Sequence, residues 1–471
     1  MNRSFAMLAV GLLSTVCAAA DPKLRAGAFA MDVTPTKFPI SANGGMSDRL
    51  ATKANDPLHA RCLVLDDGTT KLAIVVVDSC MLPRELIDEA KKLASEKTGI
   101  PTANMLVSAT HTHSAPTSTG VFQSEPDVEY VRFLTGKIAE GIVAAHGRLQ
   151  PAEAGWGAVA EPSQLFNRRW MMKPGTILKD PFGGTTDRVK MNPGHQNANL
   201  VEQSGSVDPD VSILSLRTPR GKPIALLANY SLHYVGDLPA LSADYFGVFA
   251  ERIATKLVKP DQSPMFVGIL SNGTSGDVNN VDFKNAAVKT QPGEKCRNVA
   301  EVVAAAAKKA NDAAKFRSDV SLAAAEREIE LKVRKPSANE IDRANEMLGR
   351  VVGNRVLTAP EEVYARETIL IAKYPDTVKL KLQAFRIGEL GIVAIPCETF
   401  TEIGLEIKAK SPLKQTFTIE LANGYNGYLP TPAQHELGGY ETWRARSSYL
   451  EVKASEVITK VVLELLTKVG K

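Results

Sequence analysis

Cysteine is scarce in this chain, and its spacing excludes one class of metal site. Five cysteines occur in 471 residues and none forms a Cys-x-x-Cys pair, so a thiolate-rich structural zinc site has no support. Charge of one sign is not in excess either. Lys and Arg number 56 against 52 Asp and Glu, a net charge of +4, and the two signs are interleaved without a basic stripe. Nucleic-acid binding therefore has no electrostatic footprint. Beyond the N-terminus no apolar run approaches the length needed to cross a bilayer. Internal repeats and low-complexity linkers are absent as well. What remains is an ordinary globular composition, 44% hydrophobic and 23% charged, in a chain long enough for one large or two moderate domains.

The first 20 residues read as an export signal. Arg3 supplies a positive start, Phe5 to Val16 an apolar stretch, and Ala18 to Ala20 the small residues that precede cleavage before Asp21. Val16 before Cys17 disfavours a lipid anchor. An exported, periplasmic or secreted protein of residues 21–471 follows. Its cysteines, Cys62, Cys80, Cys296 and Cys397, could pair in that setting; small buried hydrophobes are the favoured reading.

Strand-like and helix-like segments alternate along the chain. Residues 58–65 and 72–78 flank Asp66-Asp67-Gly68-Thr69 as a hairpin. Residues 83–96 and 128–146 carry helical spacing, with a short strand at 105–109 between them. A second strand pair is expected at 211–216 and 223–231, a third at 378–387 and 391–395. Helices are expected at 245–258, 298–314, 338–352 and 452–468. The stretch 166–203, rich in Gly, Pro, Asn, Met and charge, has little periodicity and reads as a long loop that is either functional or poorly ordered. The pattern predicts one large α/β domain, mixed β-sheets flanked by helices, with polar residues gathered just past strand ends, where open α/β sheets place ligands.

Seven histidines are present, and two lie in Thr110-His111-Thr112-His113-Ser114. In an extended chain residues i and i+2 share a face, so both imidazoles can meet one metal, or one can bind while the other contacts substrate. Ordinary hydrogen-bonded histidines are the bland alternative. His233 and Glu398 each follow an apolar strand, as His111 does. Two imidazoles and one carboxylate form a catalytic zinc set that leaves room for water. Spacing alone does not bring these three together, and His59, His146, His195 and His435 compete with them. His146, late in a helix, reads as a C-terminal helix charge.

An ordered set of segments resembles the neutral/alkaline non-lysosomal ceramidase family. The segments are Asp32-Val33-Thr34-Pro35; Thr110 to Ser114 with Pro116; Asn167-Arg168; Val207-Asp208-Pro209-Asp210; His233; Gly276-Asp277-Val278; Pro396-Cys397-Glu398; and Ala422-Asn423-Gly424-Tyr425 through Tyr428 to Tyr440-Glu441. They run through nearly all of residues 21–471 in family order. The resemblance implies the fold of that family's catalytic domain and zinc-dependent cleavage of a linear amide. The lipid-like N-acyl substrate would be ceramide, split to a fatty acid and a sphingoid base, with transient contact to a membrane surface. It implies Zn2+ ligands at His111, His233, Glu398 and Tyr428. His113, Arg168, Tyr440 and Asp277 match catalytic or near-site residues. Tyr428 does not follow from ligand chemistry, since a phenol is a poor ligand until a cation lowers its pKa.

Departures exist. Ala115-Pro116-Thr117-Ser118 stands where the family has Gly-Pro-Gly-Gly, and Asn279 stands where a serine commonly follows Gly-Asp-Val. The family's C-terminal immunoglobulin-like domain has no counterpart expected within these 471 residues, which leaves any second metal site open. Two rival classes stay in view: a zinc hydrolase of another N-acyl compound, an ester or a phosphate, and a non-catalytic binding protein on the same scaffold.

Overall fold

Three stretches of the chain share one wiring: a hairpin, a helix, then a third strand parallel to the hairpin's second. In the first, His59–Asp66 pairs antiparallel with Lys71–Val77, helix Arg84–Thr98 follows, and Met105–Ala109 pairs parallel with Lys71–Val77. In the second, Asp210–Arg217 and Pro223–Tyr230 form the hairpin, Asp244–Leu257 the helix and Val267–Asn272 the parallel strand. In the third these parts are Thr377–Ile387, Leu390–Ala394, Thr401–Lys410 and Gln415–Ile419. The structure, a computed structural model, describes residues 24–259, 265–351, 353 and 355–471. The expected signal segment, residues 1–20 with Cys17, lies outside them.

One further long strand widens each sheet: Arg25–Asp32, Glu153–Ala160 and Leu322–Lys332 respectively. The middle strands Lys71–Val77 and Pro223–Tyr230 are buried along almost their whole length, as strands covered on both faces must be. Inner faces of all three sheets meet in one core, with Leu63, Ile74, Leu227, Ile269, Phe385 and Phe417 fully or almost fully buried together. The outer faces are covered by helices. Arg84–Thr98 and Val128–Gly147 cover the first sheet, Asp244–Leu257 and Glu294–Ala313 the second, Thr401–Lys410 and Ala454–Gly470 the third. The result is a single α/β domain of mixed sheets flanked by helices. Among the described residues no helix is long and apolar enough to cross a membrane. Cys62, Cys80, Cys296 and Cys397 are buried free thiols, as the hydrophobe reading expects.

The expected hairpins and helices stand within a few residues of their places. Leu322–Lys332 differs: its run of Ala and Glu favours a helix in isolation, yet all 11 residues pair with Thr377–Ile387, and pairing outweighs propensity. Helix Pro360–Ala372 was also not anticipated. The expected loop at 166–203 is partly ordered, with Arg169–Met172 at the centre of a small sheet between Val189–Met191 and Leu200–Gln203.

The shared wiring positions the site. The carboxyl ends of the second and third strands of each unit point toward one region. From the first unit come Asp78 to Cys80 and Thr110 to His113, from the second Ser231 to His233 and Gly273 to Asp277, from the third Ile395 to Glu398 and Glu420 to Tyr428.

Candidate metal centre

His111 sits just past Met105–Ala109 with φ +73°, a left-handed backbone that a non-glycine residue adopts only when its surroundings impose it. Those surroundings are specific. Its N–H donates to the Ser79 carbonyl at 2.9 Å, and its Nδ1 bonds the Cys80 carbonyl at 2.7 Å. A carbonyl can only accept, so a proton lies on Nδ1 and Nε2 is the nitrogen left to meet a cation or a second proton. The same logic applies to His233, whose Nδ1 meets the Ser275 carbonyl at 3.0 Å, and to His113, whose Nδ1 meets the Gly44 carbonyl at 2.8 Å.

The three Nε2 atoms converge. His111 Nε2 stands 3.0 Å from His233 Nε2 and 3.1 Å from His113 Nε2. Glu398 Oε2 lies 3.2 Å from His111 Nε2, and among the described residues this buried oxygen has no hydrogen-bond donor. Facing lone pairs and an orphaned carboxylate oxygen repel one another unless a cation or proton lies between them. The donor atoms of His111, His233 and Glu398 all lie within 4.8 Å of one another. Ligands about 2.0–2.2 Å from a tetrahedral zinc stand roughly 3.3–3.5 Å apart, so the residues present fit such an ion. Cys80, His111 and His113 form a second group within the same limit. That group is the weaker one: Cys80 Sγ is 3.9 Å from His111 Nδ1, a nitrogen already committed to a carbonyl.

Electrostatics follow the same arrangement. Burial opposes charge on both His111 and Glu398, yet Glu398 draws the His111 imidazole well above its ordinary range, so a second proton on Nε2 takes the place a cation would fill. That charge, the Tyr428 phenol and Arg168 hold the Glu398 carboxyl below the usual range. Burial lowers His233 and His113 far below the ordinary imidazole range, with Arg168 and His111 adding to the effect in both. Both are neutral donors as they stand.

Tyr428 reaches Glu398 through backbone pairing, since the two are register partners in a short parallel bridge. Its hydroxyl accepts from Arg168 Nη2 at 3.1 Å. Arg168 is anchored at every nitrogen: Nε donates to Glu441 Oε1 at 3.0 Å, Nη2 to the Gly276 carbonyl at 2.8 Å, and Nη1 lies 3.3 Å from His233 Nε2. The Tyr440 ring packs 5.8 Å from that of Tyr428 and lines the small space above the donor set, about 40 Å³, with His111, His113, Glu398, Tyr425, Tyr428, Met81, Val121 and Phe122. Asp277 is placed differently from the others. Its side chain accepts from Asn167 Nδ2 at 2.6 Å and from Thr401 N and Oγ1 at 2.9 and 3.0 Å, while its carbonyl accepts from Arg168 N at 2.8 Å. It fixes the Arg168 loop and does not line the space. Burial pushes its carboxyl up to about 6. His59, His146, His195 and His435 stand outside this cluster.

Several contributing residues had no assigned role in the sequence. Tyr425 donates to Glu398 Oε1 at 3.0 Å. Tyr234 stacks on His113 with ring centroids 3.8 Å apart. Glu441 holds both Arg168 and Arg169. Tyr425 and Glu441 belong to the segments that carry the family resemblance, and that was the signal available for them. Tyr234 had only its adjacency to His233.

No family model matches the chain. The crystal structure of neutral ceramidase from Pseudomonas aeruginosa superposes with a TM-score of 0.70 at 16% identity, covering 94% of this chain and 74% of that one. The chain has the neutral ceramidase fold. A second ceramidase structure, complexed with C2, superposes at 0.69 and 16% identity over 95% of this chain and 75% of that one. In sequence, neutral ceramidase B of Dictyostelium discoideum is 25% identical over 229 residues, 45% of this chain and 29% of that protein. The match thus spans less than a third of that relative's length.

Proposed function

We propose that this chain is an exported zinc-dependent hydrolase that cleaves the amide bond of an N-acyl lipid of the ceramide class, releasing a fatty acid and a sphingoid base. The observation that carries this reading is the convergence of His111, His233 and Glu398, with Glu398 Oε2 left without a donor, inside a fold shared with neutral ceramidases. His111, His233, Glu398 and Tyr428 would hold the ion. When bound, zinc supplies Lewis-acid polarisation of a carbonyl and an activated water at neutral pH.

The chain's own residues complete the chemistry. Tyr425 fixes the Glu398 carboxylate through Oε1 and leaves Oε2 facing the histidines. His113, held at Nδ1 by Gly44 and stacked on Tyr234, presents an Nε2 lone pair that would take a proton from the attacking water and then pass it to the leaving amine. The Tyr440 hydroxyl is the donor nearest to where negative charge develops on the acyl oxygen, and Arg168, whose N–H groups are already engaged, contributes its positive charge from behind Tyr428. Asp277 acts one step back by fixing the loop of Arg168. Met81, Val121 and Phe122 give the space an apolar wall suited to an acyl chain. At about 40 Å³ that space holds a water or two, so an acyl chain enters only as this wall moves outward. A phosphate substrate is disfavoured, because Glu441, Tyr428 and Gly276 already engage the Arg168 guanidinium.

The test is zinc-loaded protein, freed of its signal segment, against a panel of N-acyl sphingosines of rising chain length with ester and phosphate analogues. Release of fatty acid and sphingoid base, abolished by His111→Ala, is expected. Turnover of only the ester or phosphate analogues would replace the reading.

A further inference from the structure

Glu420 is fully buried and belongs to none of the groups assigned above. It begins the segment after Gln415–Ile419, the third strand of the third unit. Its carboxylate receives three hydrogen bonds: Ser275 Oγ at 2.7 Å on Oε1, and Ser275 N at 3.3 Å and Thr399 N at 2.7 Å on Oε2. Both partners support candidate ligands. The Ser275 carbonyl receives His233 Nδ1, and Ser275 Oγ is itself 3.4 Å from that nitrogen. Thr399 directly follows Glu398. One buried carboxylate therefore ties together the backbone segments that carry an imidazole and a carboxylate of the donor set, from two different sheets.

Burial raises the Glu420 carboxyl to about 8, yet every hydrogen bond at it is donated to the carboxylate, the pattern of the ionised form. Apolar packing could hold those segments together only loosely; charge-assisted bonds to two backbone N–H groups fix their separation and direction. Among the described residues no carboxylate plays this part for His111. Its Nδ1 is held by Cys80, within its own unit.

We infer that Glu420 is the positioning residue of the metal centre, setting the distance between His233 and Glu398 by clamping Ser275 and Thr399. The inference rests on the proposed metal site and adds a residue to it. Outer partners of metal ligands change affinity about 10–100-fold when altered, and an effect of that size is expected here. In Glu420→Gln the amide oxygen can keep both backbone N–H groups only with its NH2 turned to Ser275 Oγ, which must then accept instead of donate, and the charge assistance of both backbone bonds is lost.

Full-length mature protein is stripped of metal, and zinc affinity is measured by competition with a chromophoric chelator for wild type, Glu420→Gln and Ser275→Ala. Far-UV circular dichroism of the metal-free proteins checks folding. The visible spectrum of the cobalt-substituted forms reports ligand geometry, which a merely structural role would not move. The expectation is intact folding, zinc affinity weaker by 10–100-fold in Glu420→Gln, a shifted cobalt spectrum, and a smaller change in Ser275→Ala, which keeps the carbonyl that holds His233. Should Glu420→Gln fail to fold, Ser275→Ala decides. Variants that fold and match wild type in affinity and cobalt spectrum overturn the inference. A wild type that binds no zinc overturns the proposed metal site instead.

Discussion

Glu441 is the residue whose removal gives the sharpest test of how the site is braced. Its carboxylate takes Arg168 Nε at 3.0 Å and Arg169 Nη1 at 2.7 Å, and all three side chains are at most 6% exposed. Glu441→Gln keeps the shape and removes the charge, leaving two guanidiniums inside the protein. Breaking a buried pair from one side costs about 3–5 kcal/mol. The lower half of that range is expected, because each guanidinium keeps neutral acceptors: Gly276 O and Tyr428 Oη for Arg168, Gln434 and Gly438 O for Arg169. Urea unfolding of wild type, Glu441→Gln, Arg169→Met and the double variant measures this. Arg169→Met alone should also destabilise, and the double variant should cost less than the sum by about 1–3 kcal/mol, the coupling expected of charges in contact. A Glu441→Gln loss below about 1 kcal/mol, or strict additivity, would refute the claim that this carboxylate sustains both arginines. The turnover number should fall as well, since Arg168 loses the bond that aims its guanidinium.

Other consequences follow from single contacts. Gly44 has φ +119°, and a Cβ there would lie 2.4 Å from His113 Cβ; Gly44→Ala should displace His113, lower turnover at least tenfold and leave zinc content unchanged. Tyr425→Phe removes the 3.0 Å bond to Glu398 Oε1 and should weaken zinc affinity about 10-fold, read by chelator competition. Lys91, buried and bonded to Asn423 Oδ1 at 2.7 Å, is lowered by burial to about 8 from an ordinary 10.5. The unfolded chain then binds this proton more tightly than the folded one. A penalty of about 3 kcal/mol is present in full below pH 8 and is relieved as pH rises toward 10.5. Urea unfolding at the two ends of that window should show this contribution in wild type and its loss in Lys91→Met.

The sheets were legible in the sequence because their apolar runs are short, end in turn residues and are buried on both faces. The positions just past those strands were legible for the same reason, which is why His111, His233 and Glu398 stood out before any geometry. Tyr428 was not reachable from ligand chemistry, since it meets Glu398 only through a parallel bridge that no local pattern announces. The braces were hidden for a related reason. Arg168 and Glu441 are 273 positions apart, Glu420 and Ser275 are 145, and a hydrogen bond across such a separation leaves no periodicity. Leu322–Lys332 was hidden by composition, because alanine and glutamate speak for a helix until a partner strand is present. The common wiring of the three units is likewise a property of pairing order and carries no repeated residues.

The central claim is that an ion sits between His111, His233 and Glu398. Anomalous scattering measured across the zinc absorption edge, on crystals of protein supplied with zinc, tests it most directly. The account predicts one peak bonded to His111 Nε2, His233 Nε2 and Glu398 at about 2.0–2.2 Å, with the Tyr428 hydroxyl turned toward it. No peak there, or a peak held instead by Cys80 and His113, would contradict it.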